Sequence, residues 1–334
     1  MTKRKIVATI GPASESEKML KKILPYIAIA RMNMSHGSYE EHKTKIKRIR
    51  KISPQTKILI DLQWPKIRLG KFPNGPVNFK IWECSHIIYD LENINNCDRQ
   101  HLYVSVPHLT KEVNVWDILL FNDWYISAKV LEKKENKNRL YIEFLNDWVL
   151  SSNKWINSLT ASLSINPLTK KDLEDLEFWI TQNPDYIALS FVRSSDDVKK
   201  LKKILKKNNS KAKIVVKIER HEAIKNLEEI ISLADVAMIA RWDLWVEVDI
   251  LELPRLQKLI IEVCKKYKKE CIWATQVLES MISVPRPTRA EITDIYTAIE
   301  LWADYTMLSA ESASGNYPLQ SVKLMADMWE KYGK

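Results

Sequence analysis

Glycine is scarce in this chain. The 334 residues contain 6 glycines, whereas an average usage of roughly 7% would give about 23. No glycine-rich fingerprint follows the first apolar run, which argues against a dinucleotide-binding turn there. Cysteine is sparse as well. Cys84, Cys97, Cys264 and Cys271 form no CxxC pair and lie far from any histidine at metal spacing, so neither a zinc module nor a disulfide framework is indicated and all four read as free thiols. No apolar run approaches the roughly 20 residues that a membrane span needs. Met1-Thr2-Lys3-Arg4-Lys5 leads straight into a short apolar strand rather than a secretory signal. A cytoplasmic protein with no membrane partner is expected.

The charge is unbalanced without being concentrated. Fifty-two basic residues stand against 42 acidic ones, a formal net charge of +10. Pairs such as Lys199-Lys200, Lys202-Lys203 and Lys206-Lys207 read as solvated helix faces, and no recognition motif accompanies them, so nucleic acid is not an expected partner. A mild positive field does favour small anionic substrates.

Apolar residues make up 46% of the chain, enough for a sizeable core. Short runs rich in β-branched residues recur at 6–10, 27–31, 58–61, 186–190, 214–218, 236–240, 271–274 and 305–308. Runs without alternation suit strands buried on both faces. Segments such as 194–209, 221–233 and 288–301 show helical spacing between them. Eight βα units predict an α/β fold, a TIM (β/α)8 barrel; a doubly wound open sheet is the competing architecture. The rhythm breaks over 71–166, where alternating stretches (114–130 and 140–150) separated by Pro, Asn and Asp predict a small all-β domain inserted after the third strand. Its removal leaves 238 residues, near the roughly 250 typical of a barrel. The expected organisation is barrel over 1–70, an inserted β-barrel lid domain over 71–166 and barrel again over 167–334.

Polar residues gather where barrel strands end, the place where barrel enzymes keep their reacting groups. Arg31-Met32-Asn33-Met34-Ser35-His36 follows the second strand, Asp61 the third, and Lys217-Ile218-Glu219 the fifth. Arg241 and Asp243 follow the sixth, Thr275-Gln276 the seventh, and Ser309 with Glu311 the eighth. Glu219 and Asp243 are hard oxygen ligands suited to Mg²⁺. Lys217 shares a strand face with Glu219 and supplies charge for a transferring phosphoryl group, and Arg31 and Arg68 suit bidentate phosphate binding. The constellation points to metal-assisted phosphate chemistry.

These residues sit in KIVATIGPASE (5–15), ARMNMSHGSYEEH (30–42), DLQWPKIRLG (61–70), ALSFVRSSDDV (188–198), VKIER (216–220), ARWDLWVEV (240–248), ATQVLESMI (274–282), PRPTRAEITD (285–294) and MLSAESASGNYP (307–318), with VNVWDILLFNDWYI (113–126) and KWIN (154–157) in the insertion. In these motifs, over nearly its whole length, the chain resembles the pyruvate kinase family. The resemblance implies transfer of the phosphoryl group of phosphoenolpyruvate to ADP, giving pyruvate and ATP. It implies that Lys217 stabilises the moving phosphoryl group, that Glu219 and Asp243 hold Mg²⁺ or Mn²⁺, and that Arg31 binds the phosphate. Arg68 would position the nucleotide phosphates, Thr275 would serve protonation with Ser309 and Glu311, and the backbone at Trp242 and Asp243 would bind the substrate carboxylate. The equivalents of a monovalent site are Asn33, Ser35, Asp61 and Leu62. Lys66 stands where potassium-requiring members carry glutamate, so its ammonium is expected to replace the ion and K⁺ to be dispensable. Homo-oligomerisation is expected on the same ground. Other implied alternatives are a catalytically dead binding protein or another barrel enzyme that uses phosphoenolpyruvate or pyruvate.

Departures from the family pattern set further expectations. The family commonly adds a C-terminal domain with an allosteric effector site; the chain stops at Lys334, and no such regulation is expected. Ala310 and Ser312 replace a usual Gly and Thr, and Ser158-Leu159-Thr160 replaces Leu-Pro-Gly. Trp64, Trp82, Trp116, Trp124, Trp148, Trp155, Trp179, Trp242, Trp245 and Trp302 all fall at usual glycine positions, whereas Trp273 and Trp329 read as real indoles or not with equal ease. The expectation is a gene from a lineage in which UGA specifies glycine, translated on paper with UGA as tryptophan. Restoring ten glycines would give 16. The alternative is a pseudoenzyme whose site an indole at position 242 crowds.

Overall fold

The computed structural model describes residues 5–63, 67–122, 125–134, 136, 138–158 and 170–333. By packing, the chain divides into two units: Met1–Trp64 with Pro167–Trp245 and Asp249–Lys334, and Pro65–Asn166 with Val246–Val248.

In the first unit the eight apolar runs become the eight strands of a closed barrel: Ile6–Thr9, Ile29–Asn33, Lys57–Asp61, Tyr186–Leu189, Lys213–Ile218, Val236–Ala240, Glu270–Ala274 and Tyr305–Leu308. Each pairs in parallel with the next, and Ile6 to Ala8 close the ring on Thr306 to Leu308. Parallel strands covered on both faces bury side chains of both parities, which is why the runs read as continuous. The barrel interior is filled by Val7, Ile29, Leu59, Val215, Met238, Ile272 and Met307 among others. The second strand starts two residues later than the run that announced it, because Ile27 and Ala28 belong to the entering loop, with Ala28 N–H donating to Ile6 O.

Helices fill the crossovers. Arg289–Glu300 opens on a capping box: Glu291 N–H donates to Thr288 Oγ1 (3.2 Å) and Thr288 N–H to Glu291 Oε2 (2.6 Å), which satisfies donors that the first turn leaves free. The helical segment expected over 221–233 is two helices, His221–Lys225 and Leu227–Leu233, parted at Asn226, whose side chain donates to Arg193 O.

The second unit holds a six-stranded sheet in the order Ile156–Ser158, Ile118–Phe121, Ile126–Lys134, Arg139–Phe144, Cys84–Tyr89, His101–Val104, and a two-stranded sheet of Trp148–Leu150 with Val77–Phe79. Alternate burial along Ile126–Lys134 and Arg139–Phe144 is the period-two pattern of half-buried strands. The unit is not all-β: Pro107–Glu112 is a helix, with proline at its first turn where the missing N–H is harmless. Six residues are too short for the 3.6-residue period to show in the sequence. Nor are the described strands one closed barrel, since they form two sheets.

The tryptophans separate into classes. Trp82, Trp116 and Trp302 have φ of 69°, 78° and 68°, the left-handed region that a bulky L-residue avoids and glycine enters freely. Trp82 and Trp116 each occupy the third position of a four-residue turn, closed by Glu83 N–H to Lys80 O and by Asp117 N–H to Asn114 O; a positive φ at that position calls for glycine. Trp302 ends the helix Arg289–Glu300, with its N–H on Ile299 O and Ala303 N–H on Ala298 O. That pair of bonds is the Schellman motif, whose left-handed residue is usually glycine. All three indoles are exposed, by 66%, 65% and 54%. Trp273 and Trp329 differ: their Nε1–H groups donate to Asp294 Oδ2 (3.3 Å) and Thr306 Oγ1 (2.8 Å), and both behave as true indoles. Trp148, Trp155, Trp179, Trp242 and Trp245 are not left-handed. Trp64 and Trp124 lie outside the described residues.

Candidate active site

The first unit gathers the charged residues of three strand ends into one cluster. Arg31, on the second strand, places Nε and Nη2 each 2.8 Å from Asp61 Oδ2 and Nη1 2.8 Å from Thr9 Oγ1. Asp61 ends the third strand and lies 3.6 Å from Lys217 Nζ through Oδ1. Lys217, on the fifth strand, is 2.7 Å from Glu219 Oε1 and donates to Ser190 Oγ at 3.0 Å. Phe191 N–H donates to the other carboxylate oxygen, Oε2, at 2.5 Å from a left-handed backbone, φ 52°. Two residues apart, one in the fifth strand and one just past its end, Lys217 and Glu219 meet head to head.

The electrostatics follow from burial. Burial of Lys217 disfavours its charge, yet Asp61, Glu219 and Asp243 outweigh that and hold the ammonium well above its usual range. Burial likewise works against the Asp61 carboxylate, but Lys217 and Arg31 pull its pKa below the ordinary value. Glu219 goes the other way. Complete burial and the charge of Asp243 push it up to about 7, with Lys217 pulling against them. Its Oε1 has an ion-pair neighbour but no aligned hydrogen bond. A buried carboxylate oxygen without a hydrogen bond, near a second carboxylate that raises its pKa, is a donor set that fits a hard divalent cation.

Thr275 forms a second group. It follows the seventh strand in the left-handed region, φ 65°, with Gln276 beside it at 49°; strain of this kind costs about 1–3 kcal/mol per residue and gathers at functional sites. Its Oγ1 accepts from Trp242 N–H at 2.9 Å and donates to Ala274 O at 2.7 Å. Trp242 and Asp243 lie on the short helix Arg241–Trp245. Glu311 forms a third group, accepting Ser309 N–H through Oε2 (2.7 Å) and Leu278 N–H through Oε1 (3.1 Å). Both carboxylate oxygens thus tie the ends of the seventh and eighth strands together. None of the described hydrogen bonds joins Thr275 to Ser309 or Glu311.

The residues expected at a monovalent site make the following contacts. Asp61 faces Arg31 and Lys217, Asn33 Oδ1 accepts Ser35 N–H at 3.2 Å, and Leu62 is buried. Ser35 lines a cavity of about 340 Å³ with Gly37, His42 and Gln63. Lys66 lies outside the described residues, as do Leu159 and Thr160. Arg68 belongs to the second unit, where it is exposed and donates to Asn153 O at 3.0 Å. Two participants went unnoticed in the sequence. Ser190, next after the fourth strand, links Asp61 and Lys217, and Thr9, at the end of the first, receives Arg31 and donates to Leu308 O. Their position at strand ends is the signal that could have found them.

Comparison with known proteins gives the family. The family model for the pyruvate kinase barrel domain matches residues 1–322. Curated pyruvate kinases are similar over nearly the whole chain. One from Buchnera aphidicola subsp. Schizaphis graminum is 41% identical over 330 residues, which is 96% of this chain and 68% of the relative. One from Sporosarcina psychrophila is 39% identical over 331 residues, 97% of this chain and 56% of the relative. One from Staphylococcus epidermidis is 37% identical over 333 residues, 98% and 56%. The chain thus spans between about half and two thirds of the length of these relatives, and a divalent cation requirement goes with them generally. Matched across its barrel and carrying the lysine and carboxylates at the strand ends, the chain belongs to the pyruvate kinase family.

Proposed function

We propose that the chain transfers the phosphoryl group of phosphoenolpyruvate to ADP, with Mg²⁺ or Mn²⁺, and returns the enolate as pyruvate. The observation that carries this is the Lys217 ammonium, kept charged against burial by three carboxylates, 2.7 Å from a Glu219 oxygen that has no aligned hydrogen bond. Asp61, Glu219 and Asp243 outnumber Arg31 and Lys217, so the bare cluster repels a phosphate. A divalent cation held by Glu219 and Asp243 would reverse that sign and supply Lewis-acid charge to phosphate oxygens. Lys217 then stabilises charge on the group in transit, and Arg31, steadied by Asp61 and Thr9, offers its guanidinium to the phosphate. Thr275 is the candidate for orienting the enolate carbon and its proton. A cytoplasmic setting and homo-oligomerisation belong to the same reading.

A lactate-dehydrogenase-coupled assay with phosphoenolpyruvate, ADP and Mg²⁺ tests the activity, run on the chain as written and with glycine at the ten tryptophan positions. Turnover in neither form would end the proposal. With Lys66 in place of glutamate, exchanging K⁺ for a large organic cation at constant ionic strength is expected to change turnover by less than about twofold, against the larger loss that removal of a charge at such a site produces. Metal binding has its own readout. Mg²⁺ at pH 7.5 should raise the thermal midpoint, since a ligand of the native state stabilises it, and Glu219→Gln should abolish the increment.

A further inference from the structure

Arg241 makes no described contact with the Lys217 cluster, yet its guanidinium is fully engaged. Nε lies 3.0 Å from Ala274 O and 3.1 Å from Thr275 O. Nη2 reaches Thr275 O and, at 3.0 Å, Gln276 O. Nη1 lies 2.6 Å from each carboxylate oxygen of Asp294. The group also lies over the Trp273 ring, 4.9 Å from its centroid, and the Trp273 indole N–H returns to Asp294. Three successive carbonyls therefore converge on one buried cation, at the segment where two successive residues, one of them β-branched, are left-handed. Converging carbonyl dipoles repel one another unless a cation sits among them. The planar fork of arginine presents five donors in a fixed geometry, against three on a lysine ammonium. Arg241 also immediately precedes Trp242, whose N–H holds the Thr275 hydroxyl.

We propose that Arg241, seated by Asp294 and Trp273, is a positioning residue: it holds Thr275 and Gln276 in their strained conformation and so fixes the Thr275 hydroxyl against the backbone amide of residue 242. This rests on the reading of Thr275 as a substrate-facing group. Arg241 itself touches neither substrate nor metal; it acts through Thr275.

The experiment compares Arg241→Lys, Asp294→Asn and Thr275→Ala in the full chain, with two readouts. In hydrogen–deuterium exchange, the amide of residue 242 should exchange at least about tenfold faster in Arg241→Lys at unchanged unfolding midpoint, because its acceptor is no longer held. Unchanged exchange overturns the proposal whether or not the chain is active. In the coupled assay, Arg241→Lys should lower kcat about 100-fold, the loss that small misplacement of a reacting group produces, with KM for phosphoenolpyruvate within about threefold. Added to Thr275→Ala it should cost at most about threefold more. An equal loss in both backgrounds shows that Arg241 acts independently of Thr275 and overturns the proposal. Should Arg241→Lys not fold, Asp294→Asn carries the same two tests with the arginine present but unseated. An inactive parent chain counts against the pyruvate kinase reading alone, since the exchange result still decides the positioning claim.

Discussion

Lys217→Met is expected to abolish measurable pyruvate formation while the barrel still folds. Removing one preorganised charge from a transition state typically costs about 10²–10³ in kcat. The loss here should lie at or beyond the upper end, because the same ammonium also neutralises Asp61 and Glu219, 3.6 and 2.7 Å away. Methionine keeps the volume of the stem and removes the charge. Breaking a buried ion pair by removing one partner costs about 3–5 kcal/mol; Glu219, already raised to about 7, relieves part of this by taking up a proton. Near-ultraviolet circular dichroism should therefore report a native signal at a lowered urea midpoint. Steady-state kinetics supply the decisive number. A folded Lys217→Met protein that retains more than about a tenth of the parental kcat would remove Lys217 from the reaction.

Glycine at Trp82, Trp116 and Trp302 is expected to stabilise the protein, the reverse of what replacing a tryptophan usually does. Each indole is largely exposed, so little buried area is lost. The left-handed conformation costs a non-glycine residue roughly 1–2 kcal/mol, of which the greater freedom of glycine in the unfolded chain cancels about 0.5–1 kcal/mol. The net gain is about 1 kcal/mol per site by that difference. Urea unfolding of the two units should show gains at Trp82 and Trp116 in one transition and at Trp302 in the other. The control has the opposite sign. Trp273 is buried and hydrogen-bonded through Nε1, and Trp273→Gly should lose at least about 3 kcal/mol, as truncated core aromatics do. If all four substitutions destabilise alike, the glycine reading fails for these positions. The nucleotide sequence gives an independent check, since TGG rather than TGA at codons 82, 116 and 302 would show that the tryptophans are genuine.

Lys268 and Asn209 put the Trp302 argument on a common footing. Lys269 N–H reaches Cys264 O and Ser210 N–H reaches Leu205 O across these two left-handed residues, the same closure that Ala303 makes on Ala298. The motif thus tolerates Asn and even Lys, whereas the indole of Trp302 stays 54% exposed, with Lys265 Nζ 6.0 Å from its ring centroid. The fold was visible in the sequence for a comparable reason. Strands such as Val236–Ala240 are buried residue by residue, so an uninterrupted apolar run is the pattern that a parallel barrel requires. The helix Pro107–Glu112 was hidden, because one and a half turns of mixed residues carry no period.

Local spacing fixed less of the site than of the fold. Lys217 and Glu219 are neighbours in sequence, and their pairing follows from the two-residue repeat of a strand. Asp61, expected by resemblance at a monovalent site, has Arg31 and Lys217 beside it, 30 and 156 positions away along the chain. Which cation a carboxylate meets depends on strand order and register around the ring, and no window of sequence contains those.

By itself, then, the order of residues determined a barrel of eight buried strands, the strand ends that carry charge and a shortage of glycine beside an excess of tryptophan. Each of these is a consequence of period, burial or conformational freedom, properties that a residue brings to any fold. Only the tertiary structure decided that Arg241 gathers three carbonyls beneath a strained Thr275, that Ser190 bridges Asp61 and Lys217, and that a Glu219 oxygen lacks an aligned hydrogen bond. Those depend on distances between strands closed into a ring, where Coulomb attraction and desolvation are set by neighbours far apart in the chain.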